Sequence, residues 1–357
     1  MEQDKSQLLK LDYDNIYNMY DKSTNIKEKE LLRQVIEEKS MNDDKLDDIN
    51  FQSYPEYYSK NFQEIIYQKQ EFNANQLTLD TDIGDKCNSE FSIKGHQSFL
   101  KNFITKESPY KSLLIYHGVG VGKTCSGVTI AENFRDQYSR KDRRILILSS
   151  KNIQIGWKNT IFSPKKGIEQ CTGETFIHTE SRSKREVNKL IKQYYELMAY
   201  QSFANYVKKL IAIEQRRLPQ KDKDKAVEIC IRRVFSDRML IIDEVHNIRG
   251  EQDKSLREAV KIIELVIRYS DNMRLILLTA TPMYNKSTEI LWILNMMLLN
   301  DRRPLIDKKD IFNSVNEVTS EGKKLIQDKC RSYISYLRGE NPTTFPLRMY
   351  PSLLGIY

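Results

Sequence analysis

Three polar clusters in this 357-residue chain have residue types and spacing suited to phosphate chemistry. They are His117-Gly118-Val119-Gly120-Val121-Gly122-Lys123-Thr124, Asp243-Glu244-Val245-His246 and Thr279-Ala280-Thr281-Pro282. The glycines of the first let backbone N–H groups close in on an anion. Lys123 can neutralise β- and γ-phosphates, and the Thr124 hydroxyl can hold Mg²⁺. One position departs from the phosphate-loop pattern G-x-x-x-x-G-K-[ST], which has glycine where His117 stands. In the second cluster, Asp243 is expected to hold Mg²⁺, directly or through water, opposite Thr124. Glu244 points the other way along the chain and can orient or deprotonate an attacking water. The competing reading of this pair is a helix N-terminus decorated with acids. A lone histidine is usually structural or solvated, but His246 stands where it can couple to the γ-phosphate. Gln97, 26 residues before Lys123, carries an amide that can donate and accept at once, as the edge of adenine requires.

Each cluster follows a short apolar run: Ser112-Leu113-Leu114-Ile115-Tyr116, Met239-Leu240-Ile241-Ile242 and Leu275-Ile276-Leu277-Leu278. A fourth run, Ile145-Leu146-Ile147-Leu148, ends at Ser149-Ser150-Lys151-Asn152. Unbroken apolar runs of this length suit parallel strands buried on both faces. Helical patterns alternate with them: Gly95–Phe103, Cys125–Phe134, Ile153–Ile161, Ser183–Lys192, Gln201–Ile213, Ser255–Arg268 and Thr288–Leu299. Tyr194–Tyr200 reads as a further strand and Thr175–His178 as a short one. The expected fold is therefore α/β, a mostly parallel sheet with helices on both faces. Parallel strands bring all their C-terminal ends to one edge, where ligands of open sheets bind. The three clusters should converge there.

Charged residues make up 30% of the chain and the net charge is +8, which fits a polyanionic partner as well as it fits a lysine-rich soluble surface. Residues 1–50 hold 8 Lys/Arg against 13 Asp/Glu, a net of −5, so the remainder carries +13. An accessory, acidic, helical or partly disordered extension is expected over residues 1–90, with Tyr54-Pro55-Glu56-Tyr57-Tyr58 as local packing. The basic stretch Gln215–Lys225 is expected to be an exposed loop, with nucleic-acid contact as the alternative. The five cysteines (87, 125, 171, 230 and 330) are widely spaced and odd in number, which predicts reduced thiols in a cytoplasmic compartment. No apolar run approaches a membrane span, and the N-terminus has no signal-peptide pattern.

In order and type, the motifs resemble those of the superfamily-2 helicases and nucleic-acid-dependent ATPases. Gly95-His96-Gln97 looks like the adenine-reading motif, His117–Thr124 like motif I, whose first glycine this superfamily commonly lacks, and Ser149–Trp157 like motif Ia. Asp243–His246 is similar to a D-E-x-H box and Thr279–Met283 to motif III. The resemblance covers about residues 93–300. Within the superfamily, Tyr116–Gly120, Leu278–Asn285 and Ser335–Pro342 look like the helicase-like NTPases of large cytoplasmic DNA viruses, of the poxvirus nucleoside triphosphatase I and early transcription factor small subunit type.

The resemblance implies a RecA-like ATP-binding domain over 91–300 and a helical connector over 301–357. It also implies a second RecA-like domain or subunit, whose arginines would complete the ATP site; slow hydrolysis is expected from this chain alone. The expected partners are nucleic acid, DNA rather than RNA, contacted by Ser150, Lys151 and Tyr200-Gln201, and the viral transcription machinery in the host cytoplasm or virion. A non-catalytic ATP-binding subunit of a transcription complex is the alternative. A small-molecule kinase fits less well, since it leaves Thr279-Ala280-Thr281 and the basic surface without a role.

Overall fold

The computed structural model describes residues 5–11, 15, 16, 19, 23, 26–42, 54–75, 92–135, 143–166, 169–173, 183–249, 254–283, 287–314 and 316–337. In chain order the helices and strands are α1 (Lys5–Leu8), α2 (Ile26–Asn42), α3 (Phe62–Gln68), α4 (Gln70–Asn73), α5 (Gly95–Phe103), β1 (Ser112–His117), α6 (Lys123–Glu132), β2 (Ile145–Leu148), α7 (Gln154–Ile161) and α8 (Lys184–Tyr194). There follow β3 (Tyr195–Met198), α9 (Tyr200–Arg217), α10 (Ala226–Phe235), β4 (Met239–Ile242), α11 (Lys254–Tyr269), β5 (Arg274–Thr279), α12 (Glu289–Asn300), α13 (Lys308–Ile311), α14 (Ser320–Cys330) and β6 (Ile334–Leu337).

The six strands form one sheet in the order β3-β2-β4-β5-β1-β6, parallel at every pairing. Every residue of β2, β4 and β5 is buried. Continuous burial explains why these strands read as unbroken Leu/Ile runs with no polar alternation. Helix α11 buries Ala259, Ile262, Ile263, Val266 and Ile267, a stripe at helical spacing. Helix α12 buries most of its circumference, as its composition foretells, and the Trp292 indole N–H donates to Glu264 Oε1 of α11 at 2.7 Å.

Four expectations change. The extension expected over 1–90 is not uniform. Tyr57, Phe62, Ile66 and Phe72 belong to the same core as the sheet, the three aromatics through ring contacts with Phe103, Tyr110 and Tyr333, whereas Leu8, Ile16, Leu32, Val35 and Ile36 make a small cluster of their own. The stretch expected as a helical connector contributes β6, whose four residues pair with Leu114–His117. In the basic stretch, α9 runs on to Arg217 and a 3₁₀ turn occupies Gln220–Lys225, so Pro219 interrupts helix without making an extended loop. Cys125 and Cys171 are not free thiols but a disulfide, their Cα atoms 5.4 Å apart; the first turn of α6 and the 169–173 segment abut, which linear spacing does not reveal. The strand expected at Thr175–His178, and Tyr284, Asn285 and Arg338–Pro342, lie outside the described residues. Among those described, no helix is long and apolar enough to cross a membrane.

Candidate nucleotide site

The loop between β1 and α6 takes its shape from two glycines in the left-handed region, Gly120 at φ 82° and Gly122 at φ 87°. Gly122 is the N-cap of α6, so the loop ends where the first helical N–H groups have no intrahelical partner and the helix dipole is positive. Lys123 reaches back across the loop, its Nζ donating to Gly118 O at 3.4 Å, and Thr124 follows it in the first turn of α6.

Gln97 sits behind this loop. Its Nε2 donates to Gly122 O at 3.4 Å and its Oε1 accepts from Lys94 N at 3.0 Å. The amide that sequence assigns to adenine thus braces the loop from α5. His117 does not face the loop mouth. It is buried, and its Nε2 lies 2.9 Å from Ser335 Oγ on β6. Burial, reinforced by His96 and Lys123, pushes its imidazole down to about 3. The residue that breaks the phosphate-loop pattern is therefore a neutral peg between two strands. Gly118 N–H, donating to Leu337 O at 3.0 Å, adds a second tie to β6.

At the end of β4, Asp243 is 4% exposed. Its Oδ2 accepts from Trp157 Nε1 at 2.7 Å and its Oδ1 from Glu244 N at 2.9 Å. Burial raises its carboxyl above the usual range, and the Trp157 hydrogen bond opposes that rise. Glu244 has φ 47°, a conformation a non-glycine residue seldom adopts, so the chain turns sharply directly after Asp243. Glu244 Oε2 lies 3.3 Å from His246 Nδ1. The same nitrogen is 2.8 Å from Thr279 Oγ1 and 3.5 Å from Thr281 Oγ1, and Thr281 N donates to Thr279 Oγ1 at 3.0 Å. The ends of β4 and β5 are thus joined through His246.

One residue differs from its expected place. Tyr200, expected on nucleic acid, is buried, and its Oη donates to Asp243 O at 2.5 Å. Gln201 donates to Asn205 Oδ1 at 3.3 Å. Trp157, noticed in the sequence only as a motif landmark, holds the Asp243 carboxylate. A buried indole N–H must find an acceptor, a signal present in the sequence without naming which acceptor. Lys151 is exposed at the strand-end turn and Ser150 half-buried.

A parallel sheet with a glycine loop at one strand end and a paired acid at another defines a phosphate-loop nucleotide-binding domain. The chain matches the family model described as "Type III restriction enzyme, res subunit" over residues 90–284, and it belongs to that family, within the superfamily-2 helicases. Two Acanthamoeba polyphaga mimivirus proteins, each described as a "Putative ATP-dependent RNA helicase", are 29% and 26% identical over 83% and 72% of this chain. A "Putative helicase" of Frog virus 3 is 24% identical over 70% of it. The chain spans 28%, 43% and 24% of the length of these relatives. The solved Sulfolobus solfataricus SWI2/SNF2 ATPase core in complex with dsDNA covers 69% of this chain and 44% of its own, at 14% identity and a TM-score of 0.39, too loose a likeness to add to the topology above.

Proposed function

We propose that this chain is the ATP-binding and hydrolysing first domain of a nucleic-acid-dependent superfamily-2 ATPase, acting in the cytoplasm in viral transcription. The observation that supports it most is the His246 bridge. It ties the acid pair to Thr279 and Thr281, an arrangement that a helix N-terminus merely decorated with acids does not need.

The residues fit the nucleotide and the metal. The Gly118–Gly122 backbone and Lys123 would bind the phosphates. Thr124 and Asp243 form a hydroxyl–carboxylate pair of the kind Mg²⁺ uses when water and phosphate complete its shell, and each Asp243 oxygen spends only one acceptor site inside the protein. Bound there, Mg²⁺ would neutralise phosphate charge. Glu244 would orient the attacking water and take its proton, while His246 limits its rotation and relays its position to Thr279. Gln97 would reach adenine only by leaving Gly122 O, so adenine selectivity and loop bracing draw on one amide. Nucleic acid would run past Ser150 and Lys151, contacted mainly through phosphates. The preference for DNA rests on the resemblance to DNA-virus transcription ATPases, and a second RecA-like domain or subunit would supply arginines that complete the ATP site.

The test is ATP turnover with and without single-stranded and duplex DNA and RNA, beside Lys123→Ala and Glu244→Gln. Stimulated turnover lost in both variants is expected. Binding without stimulated turnover would favour the non-catalytic subunit, and no ATP binding at all would overturn the proposal.

A further inference from the structure

We propose that Trp157 is a positioning residue for this site, its indole N–H fixing the rotation of the Asp243 carboxylate so that its open acceptor sites keep one orientation toward Mg²⁺. The inference rests on the ATPase reading above. The donor–acceptor distance is 2.7 Å, and the indole has no exposed surface. One N–H alone would leave the carboxylate free to swing about that bond. Glu244 N, on the other oxygen at 2.9 Å, removes that freedom, so two donors define the carboxylate plane.

The indole is itself clamped. On α6, four residues past Lys123, a Cβ at Gly127 would come within 3.0 Å of the indole Cη2. A side chain there would need the ring to give by a few tenths of an ångström, so glycine lets the phosphate-loop helix and the tryptophan lie this close. From the other side, Trp157 N donates to Ile153 O and Ile153 N to Ser150 O, each at 3.1 Å, so the backbone that carries the ring is bonded back to the end of β2. A tryptophan that merely filled the core could satisfy its N–H on any carbonyl. This one spends it on the carboxylate that chemistry assigns to the metal, and it packs against the helix that bears the other metal residue, Thr124. Trp157 thereby sets the two halves of the metal site against a common rigid body.

The test uses Trp157→Phe, which keeps an aromatic ring and removes the N–H. ADP affinity is measured calorimetrically with excess Mg²⁺ and with EDTA. Affinity in EDTA should stay within about twofold of wild type, while the enhancement by Mg²⁺ falls about tenfold, or about 1.4 kcal/mol. The second readout is the indole N–H resonance of Trp157 in the wild-type protein. Tryptophans 157 and 292 are the only two, and Trp292→Phe identifies the signal. It should move on adding Mg²⁺ with ADP and stay in place with ADP and EDTA. Should Trp157→Phe fail to fold, this resonance still decides. An undiminished Mg²⁺ enhancement in the variant, or a resonance indifferent to Mg²⁺, overturns the positioning role while leaving the ATP site intact. Wild-type protein that binds no ADP in either condition sinks both readings.

Discussion

Substituting Gly122 by alanine attacks the loop through two separable effects. At φ 87° a Cβ meets its own backbone, a cost of about 1–2 kcal/mol. The same Cβ would lie 2.6 Å from Gln97 Nε2, inside any real contact distance. The far end of Gln97 is flexible and would withdraw, giving up its bonds to Gly122 O at 3.4 Å and Lys94 N at 3.0 Å. The first is long and weak; losing the second costs about 1 kcal/mol. Gly122→Ala should therefore destabilise the protein by about 2–3 kcal/mol, about 30- to 140-fold in the folding equilibrium. In a Gln97→Ala background nothing remains to clash, and only the backbone part, about 1–2 kcal/mol, should be left. The assay is a double-mutant cycle by urea denaturation, with a coupling of about 1 kcal/mol between the two positions. A Gly122→Ala cost below about 0.5 kcal/mol, or one identical in both backgrounds, would refute the claim that Gln97 braces the loop.

Other expectations follow from single contacts. His117, held down to about 3 when folded, is charged below about pH 6.5 only in the unfolded chain. The unfolded state then binds more protons, so stability present above pH 6.5 is lost as pH falls toward 3, by up to about 1.4 kcal/mol per pH unit from this group. His117→Gln should flatten that limb in denaturation curves run across pH, and an unchanged slope would contradict the peg role. Thr279→Val removes the hydroxyl that faces His246 and accepts from Thr281 N; nucleotide affinity should hold within about threefold while turnover falls about tenfold, one hydrogen bond's worth of barrier. Equal losses in both would instead mean general disruption. Arg238, 2% exposed, donates to Glu196 Oε2 at 2.8 Å and Arg144 O at 2.6 Å; Glu196 keeps Arg144 as a second partner, so Arg238→Ala should cost about 2–3 kcal/mol in thermal or urea unfolding. Peptide mapping without reductant should recover Cys125 and Cys171 in one linked pair; separate alkylated peptides would restore the free-thiol expectation.

What could be read in advance follows the range of the interactions involved. Strands β1, β2, β4 and β5 were legible because burial on both faces leaves an unbroken apolar run, and Thr279–Thr281 because it follows such a run directly. Strand β6 was not: Ile334-Ser335-Tyr336-Leu337 is short, only partly buried and follows a helix, so its place in the sheet depends on pairing with residues more than 200 positions earlier. The Cys125–Cys171 pairing and the Trp157–Asp243 bond are likewise long-range, 46 and 86 residues apart, and no local periodicity encodes them. For His117 and Gln97 the sequence indicates the neighbourhood but not the contacts with Ser335, Gly122 and Lys94. Motif spacing locates a residue along a strand or helix, whereas the direction of its side chain is decided by what packs behind it.

The order of the sheet explains why these particular ends cooperate. Strand β5 lies between β1 and β4, so the strands preceding Thr124 and Asp243 stand two spacings apart, about 9.5 Å. One spacing would press the acid pair against the phosphate loop; two leave room for a phosphate and its metal between them. The strand between them ends at the same edge of the sheet, and its C-terminal residue stands between the two clusters. That residue is Thr279, fully buried, with its hydroxyl committed to Thr281 N and facing His246 Nδ1. Glu244 Oε2 lies 3.3 Å from His246 Nδ1, and His246 in turn faces the Thr279–Thr281 turn, where Thr281 and Met283 are exposed. On the proposed reading, His246 and the Thr279–Thr281 turn are the contacts through which Glu244 would reach the surface beyond the sheet edge, and Thr279→Val tests them.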